Sequence, residues 1–166
     1  WDTATECNIV THEPVADRVA FVADLAARWV RLRRRPVEEK RVAIVLANYP
    51  NRDGRLANGV GLDTPAGTIE ALKAMAEAGF PVGDIPADGD ALIDHLKKGP
   101  TNAVSEAREI RETISLNQYK GFFGGLPRAI QAQVTERWGE PQSDPFFRAD
   151  VFALPLPRYG ETLVGI

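Results

Sequence analysis

The chain has 166 residues, of which 44% are hydrophobic and 26% charged, a composition typical of one globular domain with its own core. Its formal charge of −3 argues against a nucleic-acid partner, and its single cysteine, Cys7, excludes an intrachain disulfide framework. No stretch approaches the roughly 18 consecutive apolar residues of a membrane span, so the sequence predicts a cytoplasmic protein without a span.

The two ends of the chain suggest a fragment. The first residue is Trp1, not Met, and residues 163–166 read as a strand cut short, so we expect an excised part of a longer polypeptide. Within it we expect a helical segment over 1–36 and an α/β region over 37–166. The expected fold is an open mixed or parallel sheet flanked by helices.

An apolar stripe predicts the first helix, from about Glu13 to Arg34. The residues that form it, three and four apart, are Val15, Val19, Val22, Leu25, Trp29 and Leu32. The helix ends in an arginine cluster followed by Pro36, and cations in a last turn suit the negative end of the helix dipole. The cluster has two interpretations, a helix end of this kind or a docking surface for an acidic partner.

A continuous apolar, β-branched run, Arg41 to Ala47, predicts a central strand covered on both faces. The polar connection that follows, Asn48 to Asp63, spans about sixteen residues, which is much longer than the usual link between a strand and a helix. Thr64 is the expected cap of the next helix, with Pro65 in its first turn and Gly79 at its end.

The second half of the chain predicts shorter elements. In order they are a short strand over Phe80–Pro86, for which the proline and glycine leave an edge strand or a loop open, a helix from Asp88 to Lys98, a surface helix over Val104–Ser115, helices over Asn117–Gly124 and Pro127–Trp138, and strands over Phe147–Leu154 and Leu163–Ile166. A Pro-Arg-Tyr-Gly turn is expected to join the last two strands.

Chemistry is expected in the long connection, because ligands of open α/β sheets bind beyond the carboxyl ends of the strands. Guanidinium groups grip carboxylates with two hydrogen bonds and carboxamides both donate and accept, so an anionic ligand rich in hydrogen-bonding groups fits here. Asp53 and Asp63 are candidate catalytic proton acceptors or hard metal ligands. The candidate substrate-binding residues are Asn48, Tyr49, Asn51, Arg52, Arg55 and Asn58.

A purely structural interpretation of the same connection stays open. Asp53 and Gly54 then form a turn, Asn58 and Asp63 satisfy loop backbone or cap the helix, and the arginines pair with nearby acids. The glycine spacing fits neither a phosphate-binding P-loop nor a dinucleotide fingerprint, so no nucleotide site is expected.

The remaining reactive residue types give weaker signals. His12 and His95 lack a partner at a chelating spacing, so surface or capping roles are expected and no protein metal site is predicted. Cys7 is expected in a frayed terminus and has no partner base for catalysis. Glu136 and Trp138 read as a helix end packed on the core, with the alternative that Glu136 reaches a cleft.

A close resemblance to the large subunits of aerobic-pathway cobaltochelatases, the CobN type, is carried by the stretch RVAIVLANYPNRDGRLANGVGLDTPAGTIEALKAMAEAGFPV. Two later stretches, LNQYKGFFGGLPRAIQAQVTERWGEP and YGETLVGI, resemble the same family, so the likeness covers about Val37 to Ile166. Magnesium chelatase large subunits share the strand and helix, but their loop is not NYPNRDGR, which favours cobalt.

The resemblance implies the tetrapyrrole-binding subunit of an ATP-dependent cobaltochelatase, which holds hydrogenobyrinic acid a,c-diamide while Co²⁺ is inserted in cobalamin biosynthesis. Cobalt is then a substrate of the full enzyme, and ATP and Mg²⁺ are bound by separate AAA+ partner subunits. Arg52, Arg55 and the asparagines would position the substrate. Family members carry a glycine-rich histidine and glutamate segment that is not in this chain, so the isolated chain is expected to be inactive. The alternative is a non-catalytic α/β scaffold of a magnesium or cobalt chelatase large subunit.

Overall fold

The structure, a computed structural model, describes residues 1–48, 53–101, 103 and 108–166, apart from the side chain of Asp53. It divides into two compact units, Trp1–Pro36 and Val37–Ile166. The described elements make a mixed α/β fold, as predicted. In chain order they are α1 (Ala16–Arg34), β1 (Val42–Val45), α2 (Thr64–Glu77), α3 (Gly89–Lys98), β2 (Glu112–Ser115), α4 (Leu116–Gly124), α5 (Arg128–Trp138), β3 (Phe147–Arg148), β4 (Val151–Leu154), β5 (Arg158–Tyr159) and β6 (Thr162–Gly165).

The first unit is built around α1, which confirms the predicted helix. The backbone N–H of Arg35 donates to the carbonyl of Arg31, and Pro36 follows. None of the residues of α1 is buried, and Val22 and Trp29 are 61% and 65% exposed. The predicted apolar stripe is therefore present on the helix, and the rest of the first unit does not cover it. Among the described residues, none of the helices has the length and apolarity that a bilayer crossing requires.

The second unit contains a three-stranded sheet in the order β1-β6-β5. β1 and β6 are parallel, with Val42 opposite Thr162 and Val45 opposite Gly165. β5 and β6 form a tight antiparallel hairpin. A buried core joins this sheet to α2 and α3, and its residues are Leu46, Ala57, Ile69, Leu72, Leu92, Leu96, Tyr159 and Val164.

The position of β1 corrects one expectation. It is an edge strand of the described sheet, and only alternate residues are covered: Val42 and Ile44 are half-buried, whereas Ala43 and Val45 are exposed. The apolar run does form a strand in a parallel pair, but the described core covers one of its faces. The prediction of two covered faces is wrong for this chain.

A second three-stranded sheet has the order β2-β4-β3, and its neighbouring strands are antiparallel. β2 runs directly into α4 through Ser115, which forms a capping box with Gln118. The two sheets are linked by side chains, because Arg158 on β5 donates from Nε and Nη2 to the two carboxylate oxygens of Glu112 on β2, at 2.9 and 2.8 Å.

One predicted element is wrong, and of the alternatives for Phe80–Pro86 the loop is the one observed. Glu112–Ser115 is a strand, not the end of a surface helix, because it pairs with β4; residues 104–107 of that predicted helix lie outside the described residues. Phe80–Pro86 is not a strand. The N–H of Val82 turns back to the carbonyl of Phe80, while the carbonyl of Pro81 accepts from Glu161 at the turn after β5.

The other elements match more closely. The helices predicted near 64–78, 88–98, 117–124 and 127–138 are confirmed as α2 to α5, although the cap of α2 is Asp63 and not Thr64. The predicted final hairpin is wrong in its partners, since β4 and β6 belong to different sheets. Arg158 and Tyr159 form a strand, and the chain reverses at Gly160, whose φ of +59° suits glycine.

Candidate functional site

The long connection starts at the carboxyl edge of the parallel pair. β1 and β6 run in the same direction, so their carboxyl ends lie side by side, and the N–H of Leu46 donates to the carbonyl of Gly165 at 2.7 Å. Leu46 is buried beneath this edge. The strand pair thus fixes the point from which the connection emerges, which is the position where open α/β sheets bind ligands.

Asn48 is the first polar side chain beyond β1. Its Oδ1 and Nδ2 are both buried, and neither atom has a hydrogen-bond partner within the described chain. Leaving a buried amide unsatisfied costs roughly 1–3 kcal/mol, and native proteins rarely tolerate it without a reason. The side chain is therefore poised to accept a partner that the described residues do not supply.

The second half of the connection is anchored to the core. Asp53–Arg55 forms a 3₁₀ turn, and the next residues, Leu56 and Ala57, are buried. Ala57 has a φ of +57°, a conformation disfavoured for a residue with a Cβ, and it is 1% exposed within the core. The turn is closed by the N–H of Asn58, which donates to the carbonyl of Arg55 at 3.2 Å.

This anchored turn presents Arg55 to solvent. Its side chain is exposed and makes no ion pair with any residue in the described ranges. Asn58 is also exposed. A guanidinium on a fixed backbone, with no acidic partner in those ranges, is available to bind a carboxylate.

Asp63 performs a structural task. Its Oδ1 accepts a hydrogen bond of 3.1 Å from the N–H of Ala66, which makes it the N-cap of α2. The residue is exposed. Its predicted role in proton transfer or metal binding stays a prediction, but the cap already explains why an acid precedes this helix.

The other predicted site residues are not placed. Tyr49, Asn51 and Arg52 lie outside the described residues, as does the side chain of Asp53. The structure therefore places Asn48, Arg55, Asn58 and Asp63 on one connection between β1 and α2. Over the described ranges, no group of three or more histidine, cysteine or acidic residues is arranged to hold a metal ion.

His95 makes a packing contact, whereas His12 and Cys7 lie at the surface. The Nδ1 of His95 is hydrogen-bonded to the hydroxyl of Tyr159 at 2.7 Å, so this ring is part of the packing between α3 and β5. His12 and Cys7 are exposed, and the Sγ of Cys7 donates to the hydroxyl of Thr5.

Sequence reasoning missed a pocket. It has a volume of about 300 Å³ and lies between the second sheet and α4 and α5, with Tyr119, Trp138, Phe146 and Phe152 among its walls. Trp138 is 73% exposed, so the expectation that it packs on the core is wrong. The sequence did carry a signal, because aromatic residues are frequent between 119 and 152. Several of them do not follow the spacing of a helix or a strand.

Comparison with known proteins identifies the class to which this α/β region and its long polar connection belong. The family model described as CobN/Magnesium Chelatase matches residues 1–166, and the chain belongs to that family. The aerobic cobaltochelatase subunit CobN of a Sinorhizobium species is 62% identical over the whole chain, and that of Pseudomonas aeruginosa is 45% identical over 98% of it.

A magnesium-chelatase relative is more distant. The magnesium-chelatase subunit of Chlorobaculum parvum is 27% identical over 93% of the chain. The chain spans 13% of the length of each of the two CobN relatives and 12% of that of the magnesium-chelatase subunit. The resemblance to cobaltochelatase large subunits is thus confirmed.

Proposed function

We propose that this chain is part of the tetrapyrrole-binding large subunit of an ATP-dependent cobaltochelatase, and that the connection between β1 and α2 helps to hold the substrate. The proposed substrate is hydrogenobyrinic acid a,c-diamide, into which Co²⁺ is inserted while AAA+ partner subunits hydrolyse ATP with Mg²⁺. Cobalt is favoured over magnesium because the identity to CobN relatives, 62% and 45%, is well above the 27% to a magnesium-chelatase subunit.

The observation that carries the proposed site is the buried amide of Asn48 at the carboxyl end of β1, which has no hydrogen-bond partner in the described part of the chain. A corrin precursor bears peripheral carboxylates and amides. An asparagine can both donate to and accept from such groups, and a guanidinium such as that of Arg55 can bind a carboxylate with two hydrogen bonds. Arg52, Asn51, Tyr49 and Asn58 complete the proposed substrate-binding set.

For the chemical step, the insertion of the metal, only two residues of this connection are proposed. Insertion requires bases that remove the pyrrolic protons and ligands that take water from the metal. Asp53 and Asp63 are the proposed candidates for proton transfer on this connection. Positioning the macrocycle is the principal role that we propose for these residues, and cobalt is handled as a substrate by the complete enzyme.

The test is tetrapyrrole binding by the complete subunit, followed by the absorbance of hydrogenobyrinic acid a,c-diamide. We expect Asn48→Ala and Arg55→Ala each to weaken binding about tenfold, since each removes a hydrogen-bonding partner of a buried or charged ligand group. Matched controls are Asn117→Ala and Arg128→Ala, which remove the same side-chain types from exposed positions on α4 and α5. Equal binding by all four variants would remove the connection from the substrate site.

A second candidate function is a scaffold that binds other parts of the chelatase. The exposed apolar residues of α1 favour it, because contiguous exposed apolar surface marks interaction sites. Capture of the complete subunit by its ATPase partners tests it. Val22→Ser with Trp29→Ser should abolish capture, whereas Phe122→Ser, on an equally exposed residue of α4, should not. Capture unchanged by the α1 variant would exclude α1 as the docking helix.

A further inference from the structure

One side of the aromatic pocket is formed by rings of the second sheet and α4 that contact one another. The ring of Tyr119 lies against that of Phe152, with centroids 5.1 Å apart, and stacks on Phe123 at 5.5 Å. Phe152 is buried and also contacts Phe147 at 5.0 Å. These contacts orient the aromatic faces before any ligand arrives, so the pocket is preformed.

The opposite wall comes from α5. Val134 and Trp138, one helical turn apart, line the pocket. Ile130 precedes them by another turn and is 42% exposed, so the apolar ridge continues along α5 beyond the pocket. Trp138 already makes one cation–π contact, because the guanidinium carbon of Arg137 lies 5.4 Å from the centroid of the Trp138 ring.

Two carboxylates lie at the pocket. Gly139, with a φ of +79°, ends α5 and directs the chain into Glu140 and Pro141. Asp144 is fixed because its Oδ1 accepts from the N–H of Phe146 at 2.8 Å. Glu140 and Asp144 both line the pocket and are exposed, and neither forms an ion pair with a residue in the described ranges.

The volume and the lining of the aromatic pocket limit the kind of ligand that fits. About 300 Å³ lies at the lower end of the range for small-molecule sites, so the pocket admits a side chain rather than a macrocycle. Aromatic faces beside carboxylates attract a cation carried on an apolar stem. The ridge along α5 offers further apolar contact that a free small cation would leave unused.

We propose that this pocket binds an arginine or lysine side chain of a protein partner, with the aliphatic stem between Trp138 and Tyr119 and the charge near Glu140 and Asp144. The segment that carries the basic side chain lies along α5. The proposal is independent of the tetrapyrrole site, which is on the other sheet.

The test uses the protein labelled with 5-fluorotryptophan and ¹⁹F NMR, with the Trp138 resonance assigned by its loss in Trp138→Phe. The probes are a capped leucine-alanine pentapeptide with one central arginine, the same peptide with the neutral isostere citrulline, and free butylguanidinium. We expect the arginine peptide to shift the Trp138 resonance saturably, and the citrulline peptide to bind about tenfold more weakly because it lacks the charge.

Charge-removing variants sharpen the result. Glu140→Gln with Asp144→Asn should weaken the arginine peptide about fivefold and leave the citrulline peptide unchanged, and added salt should reduce the difference. Glu13→Gln with Asp24→Asn removes the same two charges from the first unit and should have no effect. Equal affinity for arginine and citrulline, or no shift of Trp138 with either peptide, would overturn the proposal. Butylguanidinium binding as tightly as the peptide would overturn the assignment to a protein partner.

Discussion

The Nδ1 of His95 lies 2.7 Å from the hydroxyl oxygen of Tyr159, and the two rings meet edge to face with their centroids 5.5 Å apart. This contact ties α3 to β5 across the core. Burial raises the pKa of Tyr159 to about 12, and burial followed by the charges of Arg111 and Lys98 lowers the pKa of His95. Both groups are therefore uncharged near neutral pH, and they share one hydrogen bond.

This arrangement predicts that acid weakens the fold before the carboxylates titrate. Because the folded state lowers the pKa of His95 below 6.5, the unfolded state binds more protons just below that pH, and stability falls as the pH drops through this window. We expect the free energy of unfolding in urea to decrease from about pH 7.5 to about pH 5.5.

In the variant His95→Gln, most of that decrease in the free energy of unfolding should disappear. The amide of glutamine can accept the hydrogen bond from the tyrosine hydroxyl but does not titrate. His12→Gln, at an exposed position in the first unit, should retain the full decrease. If His95→Gln and the unchanged protein showed the same pH dependence, the contact with Tyr159 and its burial would not control this proton.

Asn48 leads to a prediction for the free protein. Its buried amide finds no hydrogen-bond partner among the residues that the structure describes, and such burial is costly, so Asn48→Leu, which is similar in shape, should raise the free energy of unfolding by about 1 kcal/mol. The same variant should bind tetrapyrrole more weakly. Thermal and urea unfolding measure the first effect, and Asn117→Leu, on an exposed residue, should stay within about 0.5 kcal/mol. A loss of stability in Asn48→Leu would mean that the amide is satisfied within the protein.

The pair between Glu112 and Arg158 predicts a pH effect at lower pH. The hydrogen bond from Arg158 lowers the pKa of Glu112 below 4.5, so the folded state favours the carboxylate. Its contribution to stability is complete above 4.5 and is lost as the pH falls through the lowered value. The free energy of unfolding of Glu112→Gln should therefore decrease less than that of the unchanged protein between about pH 5 and about pH 3.

A surface pair provides the comparison. Glu161, in the turn between β5 and β6, lies 3.0 Å from Arg41, which precedes β1, and the Arg41 side chain is 80% exposed. Solvent and salt screen such pairs, so Glu161→Gln should have little effect on the decrease in the free energy of unfolding at low pH. If Glu112→Gln and Glu161→Gln behaved alike, the bidentate geometry between the two sheets would contribute no more than an ordinary surface contact.

The helices of this protein are predictable because their signals are local. Asp88 accepts from the N–H of Ala91 at the start of α3, and Gly79 ends α2 with a φ of +86°. Both signals lie within a few residues of the helix they delimit. The long connection after β1 was also predictable, from its length and polarity.

The strands and the pocket depend on distant partners. Glu112–Ser115 becomes a strand only because Val151–Leu154 lies beside it, and no pattern within its own four residues announces that pairing. Asn48 appears in the sequence as one of several loop amides, and its burial without a partner in the described ranges depends on how β1 meets β6. The pocket below Trp138 joins residues from four elements, so its shape has no local signature.

A buried helix residue and an exposed strand residue should contribute very differently to stability. Leu72 on α2 is fully buried, and Leu72→Ala should lower the free energy of unfolding by about 2–5 kcal/mol through lost contacts and a cavity. Val45 on β1 is 79% exposed, so Val45→Thr should cost less than about 0.5 kcal/mol in this chain. Urea unfolding of the two variants measures both values.

The continuous apolar run of β1 leads us to expect a different result in the complete subunit. There the second face and free edge of the strand are expected to be covered, so Val45→Thr should lower the thermal midpoint, while Val60→Thr, on a fully exposed residue of the connection, should not. Hydrogen exchange at Val45 should be slower in the complete subunit than in this chain. Equal exchange, and an unchanged midpoint for Val45→Thr, would show that β1 remains an exposed edge in the complete subunit.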